Sequence, residues 1–444
     1  MTVRSREGIA PIVMARRRRV NPGMLCKISE IWKRFLRNIP GAALWDDMWR
    51  KSEFAAPEEV MNKLTTQKFV PRRFLVAAFP LAIGFFAILA APKTRAQASA
   101  TATQAAEYSS AKDQARAIAK EWLARGIPGL SVSVAIDGKI VYSEGFGYAD
   151  LEERVPAWPT TKFRIGSVSK PLTSAALVRL VEDRKLDLDA PIQKYVPSFP
   201  DKGAVITARM LAGHLAGIRH YKDGEVDSQK HYDTVLGGLE RFQSDPLVVA
   251  PGSKFSYSSY GYNLLSAAIE AASGEPFLDT EQRLVFRPLG LLHTTADQPA
   301  QIIEQRARFY SGAKGKPKEN APYVDNSYKW AGGGFLSTTE DLVRFGSALL
   351  KPGFLKAESL ALLFTPQKTK DGTATGYGMG WFIGKSDSGQ KIYSHSGGSV
   401  GGSSELIVYP DTHLVVAFIC NYSGDADGWK GEEVQHLGEA FQKH

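Results

Sequence analysis

The chain has 444 residues and a formal net charge of +9 at pH 7. Residues 1–98 hold 18 basic and 7 acidic side chains, a net charge of +11, and the rest of the chain carries a net charge of −2. Residues 99–444, with a net charge so close to zero, lack the strongly basic surface that nucleic-acid-binding proteins carry. The charge therefore excludes nucleic acid as a partner.

The N-terminal part of the chain has the layout of an export signal. An apolar stretch at 74–91 follows a basic flank and precedes the small-x-small sequence AQA at 96–98, a pattern typical of a cleavable secretory signal. The stretch is also long enough for a membrane anchor, but Pro80 weakens a permanent helix and favours cleavage. We therefore expect a signal peptide or signal anchor over 61–98. We expect the domain that follows to be periplasmic or secreted. The alternative is a protein that the segment anchors in the inner membrane, with the domain facing outside the cytoplasm.

Residues 1–60 do not fit a signal peptide, whose basic region is short. They contain a run of four arginines and no apolar segment, so we interpret them as a basic tail or as an extension before a start at Met61. A small polar linker follows at 99–107. Residues 108–444 are numerous enough for one folded domain with a substantial core. Cys420 is the only cysteine of that domain, so no disulfide is expected within it.

A helix, a hairpin and a second helix are predicted at the start of this domain. The amphipathic pattern at 108–125 stops at Gly126 and indicates a helix. Two strand-like runs at 130–136 and 139–146 flank an Asp-Gly turn, which is typical of a β-hairpin. The next helix, at 167–183, is apolar nearly all round, which indicates a central position covered on several sides.

The remaining pattern predicts an α+β fold in which a helical segment interrupts a sheet. Helical signals without a strand signal fill the middle, about 190–330, at 207–215, 232–242 and 260–272. Strand signals return at 332–337, 378–383, 391–395, 404–409 and 413–419, with helices at 339–350 and from 431 onward. Strands at both ends around a helical middle predict an antiparallel sheet flanked by helices, with an inserted, mainly helical domain.

Ser167 and Lys170 open the central helix with the spacing S-x-x-K. Residues three apart share a helix face, so the lysine amine can lie beside the serine hydroxyl. A serine becomes nucleophilic when a neighbour takes its proton, and a desolvated lysine can do so. Because an S-x-x-K sequence also arises by chance in a chain of this length, an ordinary helix N-cap remains the structural alternative.

Tyr257 lies on a loop just before a predicted helix, in the sequence Tyr-Ser-Ser that ends at Ser259. From such a loop a phenol can enter a cleft, and a nearby ammonium can lower its pKa enough for proton transfer. A tyrosine packed beneath a loop is the structural alternative.

A glycine-rich sequence, His395-Ser396-Gly397-Gly398, ends one of the predicted strands. Glycines at such a position let a substrate lie against backbone N–H groups, and the side chains of His395 and Ser396 offer donors. A plain turn between strands is the structural alternative.

These three motifs, in this order, resemble those of the serine beta-lactamase and penicillin-binding-protein superfamily, in its class C and carboxypeptidase-like branch. The likeness extends over about 108–440. The run PYVDNSYKWAGGGFLST at 322–338 is especially similar to the mitochondrial serine beta-lactamase-like branch of animals. The resemblance implies a beta-lactamase/transpeptidase-like fold and a serine hydrolase that acts through an acyl-enzyme.

The resemblance also implies a role for each motif residue. Ser167 would be the acylated nucleophile, Lys170 its proton partner, and Tyr257 the general base that later protonates the leaving group. The backbone N–H groups of Ser167 and Gly398 would form the oxyanion hole, with His395 beside the acyl pocket. The implied substrate-binding residues are Ser259, His395, Ser396, Gly397 and Gly398.

The chain departs from the family pattern at two of these positions. Ser259 stands where many relatives have asparagine, and a hydroxyl reaches less far and makes fewer hydrogen bonds than an amide. His395 stands where others have lysine, and an unperturbed histidine is largely neutral at pH 7, so a substrate carboxylate gains less there. Both departures favour a peptide, amide or ester over a penicillin as the acyl donor.

The alternative function is a low-turnover protein of the same fold that binds acylated ligands or acts as a scaffold. The eight histidines are scattered without ligand spacing, so no metal or other cofactor is expected, and His214 and His220 are interpreted as loop and helix-cap residues. The G-x-S-x-G sequence at 397–401 leads into a strand pattern and not into the helix of a nucleophile elbow. The expected partner is a small-molecule or peptide substrate. Membrane association through 74–91 and formation of a homo-oligomer stay open.

Overall fold

A computed structural model describes residues 108–313, 317–424 and 428–442. The tail or extension, the signal segment and the linker that the sequence predicts over 1–107 lie outside these residues. Within the described ranges, no helix combines the length and the apolar character needed to cross a membrane.

The described part of the chain contains both helices and strands, with helices alone between Ser169 and Leu289. The α-helices are α1 Ser109–Ala124, α2 Ser169–Glu182, α3 Ala208–Ala212, α4 Val235–Gly238, α5 Ser259–Ser273, α6 Phe277–Glu281, α7 Arg287–Leu289, α8 Trp330–Gly333, α9 Thr339–Ala348, α10 Ala357–Phe364 and α11 Gly431–Glu439. The strands are β1 Gly129–Ile136, β2 Lys139–Asp150, β3 Val155–Pro156, β4 Phe163–Arg164, β5 Thr295–Ala296, β6 Tyr310–Gly312, β7 Glu319–Asn320, β8 Phe335–Ser337, β9 Phe382–Lys385, β10 Lys391–Ser399, β11 Gly402–Tyr409, β12 Leu414–Cys420 and β13 Tyr422–Gly424.

The main sheet takes its strands from both ends of the domain. Its order is β3-β2-β1-β12-β11-β10-β9, and each neighbouring pair is antiparallel. The central pair joins β1 to β12, from Leu130 opposite Cys420 to Ile136 opposite Leu414. The predicted α+β fold with a split antiparallel sheet is therefore confirmed.

Alternate side chains of β12 pack on the two faces of this sheet, as the two-residue period of a strand requires. Phe418 lies on the face covered by α1, where its ring centroid is 4.7 Å from that of Trp122. Val415 lies on the opposite face against α9, so close to Gly346 that a Cβ there would meet the valine at 2.7 Å. The sheet is thus buried on both sides, which explains why β12 is apolar at every position.

Helix α2 lies at the centre of the second face. Its residues from Ser169 to Val178 are all buried, and it packs against α5, α8 and α10. The prediction of a central helix covered on several sides is therefore confirmed. Its position carries the S-x-x-K sequence to the junction of the sheet and the helices.

Three predicted elements in the second half differ in the structure. Of the strand expected at 378–383, only the last two residues lie in a strand, β9, which begins at Phe382. The helix expected at 232–242 is reduced to α4 and a 3₁₀ turn at Leu239–Arg241, since two successive glycines weaken a helix there. The strand expected at 332–337 begins only at Phe335, because the residues before it form the short helix α8.

Two small sheets complete the described fold. Strands β4, β8 and β5 form an antiparallel sheet that leads the chain toward Ser167. The other small sheet has the order β13-β6-β7, and its β13–β6 pair is parallel. The expectation of antiparallel pairing therefore holds for the main sheet but not for this pair, whose strands come from distant segments and need no tight turn.

Candidate active site

Ser167 lies in a 3₁₀ turn, Gly166–Val168, between β4 and α2. Gly166 has a φ of +47°, and a Cβ there would lie 2.5 Å from the carbonyl oxygen of Gly398. Both the backbone angle and the close approach therefore require glycine. The hydroxyl of Ser169 donates to the Gly166 carbonyl at 2.7 Å, which fixes the turn that presents Ser167.

The amine of Lys170 is fully buried beside the Ser167 hydroxyl. Its Nζ lies 2.9 Å from Oγ of Ser167, 3.1 Å from Oγ of Ser259 and 2.5 Å from the carbonyl oxygen of Gly332. Burial, and then the charge of Lys329, hold the pKa of Lys170 well below its usual range. A neutral amine has two N–H donors and one lone pair. Nζ of Lys170 donates to Oγ of Ser167 when the amine is charged. When the amine is neutral and its two donors are directed to Gly332 and Ser259, the lone pair is left for the hydroxyl hydrogen of Ser167.

Tyr257 forms a side-chain hydrogen bond with the same hydroxyl. Burial raises the pKa of Tyr257 to about 12, although its side-chain hydrogen bonds with Ser167 and Ser259 act in the opposite direction. The Tyr257 ring centroid is 4.9 Å from Nζ of Lys170. The sequence interpretation relied on an ammonium to lower the pKa of this phenol. Because burial disfavours the charged forms of both Lys170 and Tyr257, the structure favours a different division of roles, with the lysine as base and the phenol still protonated.

Two histidines hold the loop that carries Tyr257 and Ser259. The backbone N–H of Ser258 donates to Nδ1 of His214, and that of Ser259 donates to Nδ1 of His220, each at 3.1 Å. Burial lowers the pKa of His220 to about 4 and holds that of His214 well below its usual value. Both rings are therefore neutral acceptors, as their interpretation as loop and helix-cap residues predicts.

His395 is buried and turned away from the substrate pocket. Its Nδ1–H donates to the carbonyl of Ser396 at 2.6 Å, and the hydroxyl of Tyr377 donates to its Nε2 at 3.0 Å. Burial lowers the pKa of His395 to about 3. The imidazole is thus neutral and already paired, so it does not provide the side-chain donor to substrate that the sequence suggested.

Strand β10 brings its glycines to the nucleophile along an open edge. Strand β9 pairs with β10 only as far as Ser394, so the following residues lack a strand on that edge. A Cβ on Gly397 would lie 2.0 Å from the carbonyl oxygen of Ile165, which shows how closely the two backbones meet. Gly398 lines the pocket beside Ser167, whereas Ser396 is exposed on the strand and does not line it.

A cavity of about 490 Å³ opens above Ser167, Ser259 and Gly398. Its wall includes three side chains that the sequence analysis did not assign to the site, Tyr221, Asp227 and Lys329. No local spacing marks these residues. The only signal was that Lys329 falls in the run at 322–338, which shows strong family resemblance, and tertiary folding brings that run to the serine.

Two further predictions concern decoys and metals. The G-x-S-x-G sequence at 397–401 lies in the β10–β11 hairpin, and no helix follows it. Over the described ranges, no group of three or more His, Cys, Asp or Glu side chains is arranged to hold a metal ion.

The split sheet, the inserted helices and the buried serine–lysine pair define a serine hydrolase with the beta-lactamase fold. Comparison with known families matches residues 111–437 to the family described as Beta-lactamase, and the chain belongs to this family. The sequence resemblance is therefore confirmed.

Individual relatives support the same assignment. The human mitochondrial serine beta-lactamase-like protein LACTB is 36% identical over 406 aligned residues, which cover 67% of this chain and 74% of that protein. Penicillin-binding protein 4* of Bacillus subtilis is 29% identical over 315 residues, which cover 67% of this chain and 69% of that protein.

Solved structures share the fold. D-amino acid amidase from Ochrobactrum anthropi SV3, complexed with L-phenylalanine amide, matches with a TM-score of 0.67 and 25% identity, over 75% of this chain and 99% of that chain. The octameric penicillin-binding protein homologue from Pyrococcus abyssi matches with a TM-score of 0.63 and 27% identity, over 73% of this chain and 75% of that chain.

Proposed function

We propose that the protein is an exported serine hydrolase that cleaves peptides, amides or esters through an acyl-enzyme. The observation that carries this proposal is the 2.9 Å contact between Oγ of Ser167 and Nζ of Lys170, in buried surroundings that disfavour the charged form of the amine. A neutral amine at this distance can take the hydroxyl proton and so create the nucleophile.

The proposed acylation step uses three side chains. Oγ of Ser167 bonds to the substrate carbonyl carbon while its proton passes to Lys170. The N–H groups of Ser167 and Gly398 stabilise the oxyanion. The phenol of Tyr257 then gives its proton to the departing nitrogen or oxygen as the bond to carbon breaks.

The proton that Lys170 took from Ser167 then passes through Ser259 to Tyr257, which has lost its own proton to the leaving group. The hydroxyl of Ser259 lies 3.1 Å from Nζ of Lys170 and also forms a hydrogen bond with Tyr257, so it bridges the two. In the second half-reaction, water gives a proton to Lys170 and attacks the acyl carbon. The bond between Ser167 and the acyl group then breaks, and Lys170 returns the proton to Oγ of Ser167. In each half-reaction, Lys170 and Tyr257 therefore return to the protonation states in which they began.

The proposed substrates are amides, peptides and esters in preference to penicillins. A structural relative is described as a D-amino acid amidase, which supports amide chemistry on this fold. His395 is neutral and already paired with Tyr377 and Ser396, so it supplies no cation for the carboxylate of a penicillin.

Labelling with a fluorescent fluorophosphonate, followed by assay of nitrocefin and a panel of D-amino amides and esters, tests this function. We expect one label per chain, loss of the label in Ser167→Ala, and retention in Ser253→Ala, which removes an exposed hydroxyl far from Lys170. Absence of labelling in the wild type, or equal labelling of Ser167→Ala, would overturn the proposal. Labelling of Ser167 without turnover of any amide or ester would instead support the low-turnover ligand-binding alternative.

The proposal includes export and self-association. N-terminal sequencing of protein from the cell envelope should begin at or near Ser99, and an intact membrane-bound chain would favour the anchor. Self-association is supported by the relative described as octameric. Sedimentation velocity of the domain should show a species larger than the monomer.

A further inference from the structure

His214 combines two unfavourable features in the interior of the domain. Its backbone has a φ of +57°, in the left-handed region that disfavours residues other than glycine. The residue is 2% exposed, and its Nε2 has no hydrogen-bond partner among the described residues. Because Nδ1 accepts a hydrogen bond, the ring hydrogen lies on that buried Nε2, and a donor left in this state is costly. Strained and unsatisfied groups concentrate at functional sites, so the contacts of His214 indicate its role.

The contacts of His214 converge on Tyr257. Its carbonyl oxygen accepts the backbone N–H of Ser256 at 2.8 Å, and its Nδ1 accepts that of Ser258 at 3.1 Å. Its ring packs against the Tyr257 ring, with the centroids 4.3 Å apart. One residue therefore fixes the backbone before and after Tyr257 and also contacts the phenol ring itself.

His220 holds a different part of the same loop. Its Nδ1 accepts the backbone N–H of Ser259 at 3.1 Å, and its ring meets that of Tyr257 edge-on at a centroid distance of 5.5 Å. The hydroxyl of Ser259 contacts the amine of Lys170. His220 thus supports the residue beside the lysine, whereas His214 supports the tyrosine.

We propose that His214 is a positioning residue for Tyr257 and decides whether the hydrolase cleaves amides as well as activated esters. This inference rests on the proposed function, in which the phenol of Tyr257 protonates the leaving group. A departing amine needs that proton, and its transfer requires the phenol within hydrogen-bond reach of the nitrogen. A departing nitrophenolate needs none, and activation of the serine depends on Lys170. Loss of the His214 acceptor should therefore slow amide cleavage selectively.

Two side-chain amides of different length at position 214 isolate the Nδ1 contact. His214→Asn places its carbonyl oxygen where Nδ1 lies and tolerates a left-handed backbone. His214→Gln is longer by one carbon, so its acceptor no longer lies at the position of Nδ1. In single-turnover measurements, His214→Gln should lose tenfold or more in acylation by an amide and less than about threefold with the 4-nitrophenyl ester of the same acyl group. His214→Asn should recover most of the amide rate.

His413→Gln is the matched control. His413, in the turn between β11 and β12, has a φ of +52°, and its carbonyl oxygen accepts the N–H of Asp137 at 3.2 Å. Its Nδ1 lies 2.8 Å from Oδ1 of Asp137, on a side chain that is 51% exposed. The substitution thus adds similar backbone strain and removes a similar ring contact outside the site, and it should retain the amide-to-ester ratio of the wild type. Circular dichroism identifies any variant that fails to fold, and His214→Ala, which adds no volume, then replaces His214→Gln.

A double variant tests whether His214 acts through the phenol. Once Tyr257→Phe has removed the acid, His214→Gln should lower acylation by the amide less than about threefold further, because the two residues act as one unit. A further loss of tenfold or more would show that His214 acts elsewhere and would overturn the proposal.

The other outcomes separate this inference from the proposed function. Equal losses on amide and ester in His214→Gln, a similar loss in His413→Gln, or failure of His214→Asn to recover the amide rate would each overturn the role of His214 and leave the hydrolase proposal standing. A wild type that is labelled at Ser167 and cleaves esters but no amide would also overturn that role. Absence of both turnover and Ser167 labelling would overturn the two proposals together.

Discussion

Burial decides which of two neighbouring groups holds a proton in the site. Lys170 and Tyr257 are enclosed in surroundings that disfavour charge, so the pKa of the amine falls and that of the phenol rises to about 12. Both shifts favour an amine beside a phenol over an ammonium beside a phenolate. An amine accepts a proton from Ser167 and a phenol gives one away, which separates the base from the acid.

Replacement of Tyr257 by Phe tests this separation. Tyr257→Phe keeps the ring, whose centroid lies 4.3 Å from that of His214, and removes only the proton donor. We expect acylation by an amide to fall on the order of 100-fold or more, because a departing amine needs a proton. A 4-nitrophenyl ester with the same acyl group should lose less than about tenfold, since its leaving phenolate needs none.

Single-turnover measurements with the matched amide and ester provide the comparison. Equal losses on the two substrates would assign Tyr257 to proton abstraction or to packing, and would contradict its role as the acid. The Ser167→Ala variant gives the background rate for both substrates.

At the scale of elements, the contact between the serine turn and strand β10 aligns the nucleophile with the strand's glycines. Gly166→Ala introduces both a strained φ of +47° and a Cβ within 2.5 Å of the Gly398 carbonyl oxygen. Gly138→Ala, in the β1–β2 turn, introduces a similar strain at a φ of +77° but meets no atom within 4 Å. Gly138→Ala should lose about 1–2 kcal/mol of stability from backbone strain alone, and Gly166→Ala should lose more, because the clash with Gly398 adds to the strain.

Only Gly166→Ala should also lose labelling of Ser167, by tenfold or more, because the strand must move to admit the new carbon. Chemical denaturation gives the stabilities, and the rate of fluorophosphonate labelling gives the function. Similar labelling of Gly166→Ala and Gly138→Ala would show that this contact does not set the position of Ser167.

Sequence patterns correctly predicted the helices and strands whose residues share one environment along their whole length. Helix α2 is apolar nearly all round and lies at the centre, and β12 is apolar throughout and is covered on both faces. The helix expected at 232–242 fails where Gly237 and Gly238 interrupt it, and the strand expected at 332–337 gives way to α8 before Phe335. In these segments local propensity is weak, and tertiary contacts decide the backbone.

At the scale of the whole molecule, the site was only partly readable from sequence. The S-x-x-K, Tyr-Ser-Ser and His-Ser-Gly-Gly motifs located Ser167, Lys170, Tyr257 and Gly398. Lys329 has no motif, because its position against the cavity follows only from folding. The orientation of the His395 ring and the pKa of each group depend on burial. Burial is set by the tertiary structure, so the spacing of motif residues does not predict it.

Burial also sets how the stability of the whole domain depends on pH. Glu281, at the end of α6, is fully buried, and neither carboxylate oxygen has a hydrogen-bond partner in the described residues. Burial raises the pKa of Glu281 from 4.5 to about 8. Between these values the folded chain holds a proton that the unfolded chain has released, so stability is full below about pH 4.5 and is lost as the pH rises toward 8.

Glu281→Gln keeps a neutral side chain of the same shape at every pH. The wild type should lose on the order of 2–4 kcal/mol of stability between pH 5 and 9 from this group, and the variant should lose correspondingly less. Glu433→Gln is the matched control, because the pKa of Glu433 is lowered despite its partial burial, through hydrogen bonds from Trp122 and Arg125. That variant should keep the alkaline loss of the wild type. Thermal unfolding across the pH range measures all three proteins, and a parallel decline in Glu281→Gln and the wild type would assign the alkaline loss to other groups.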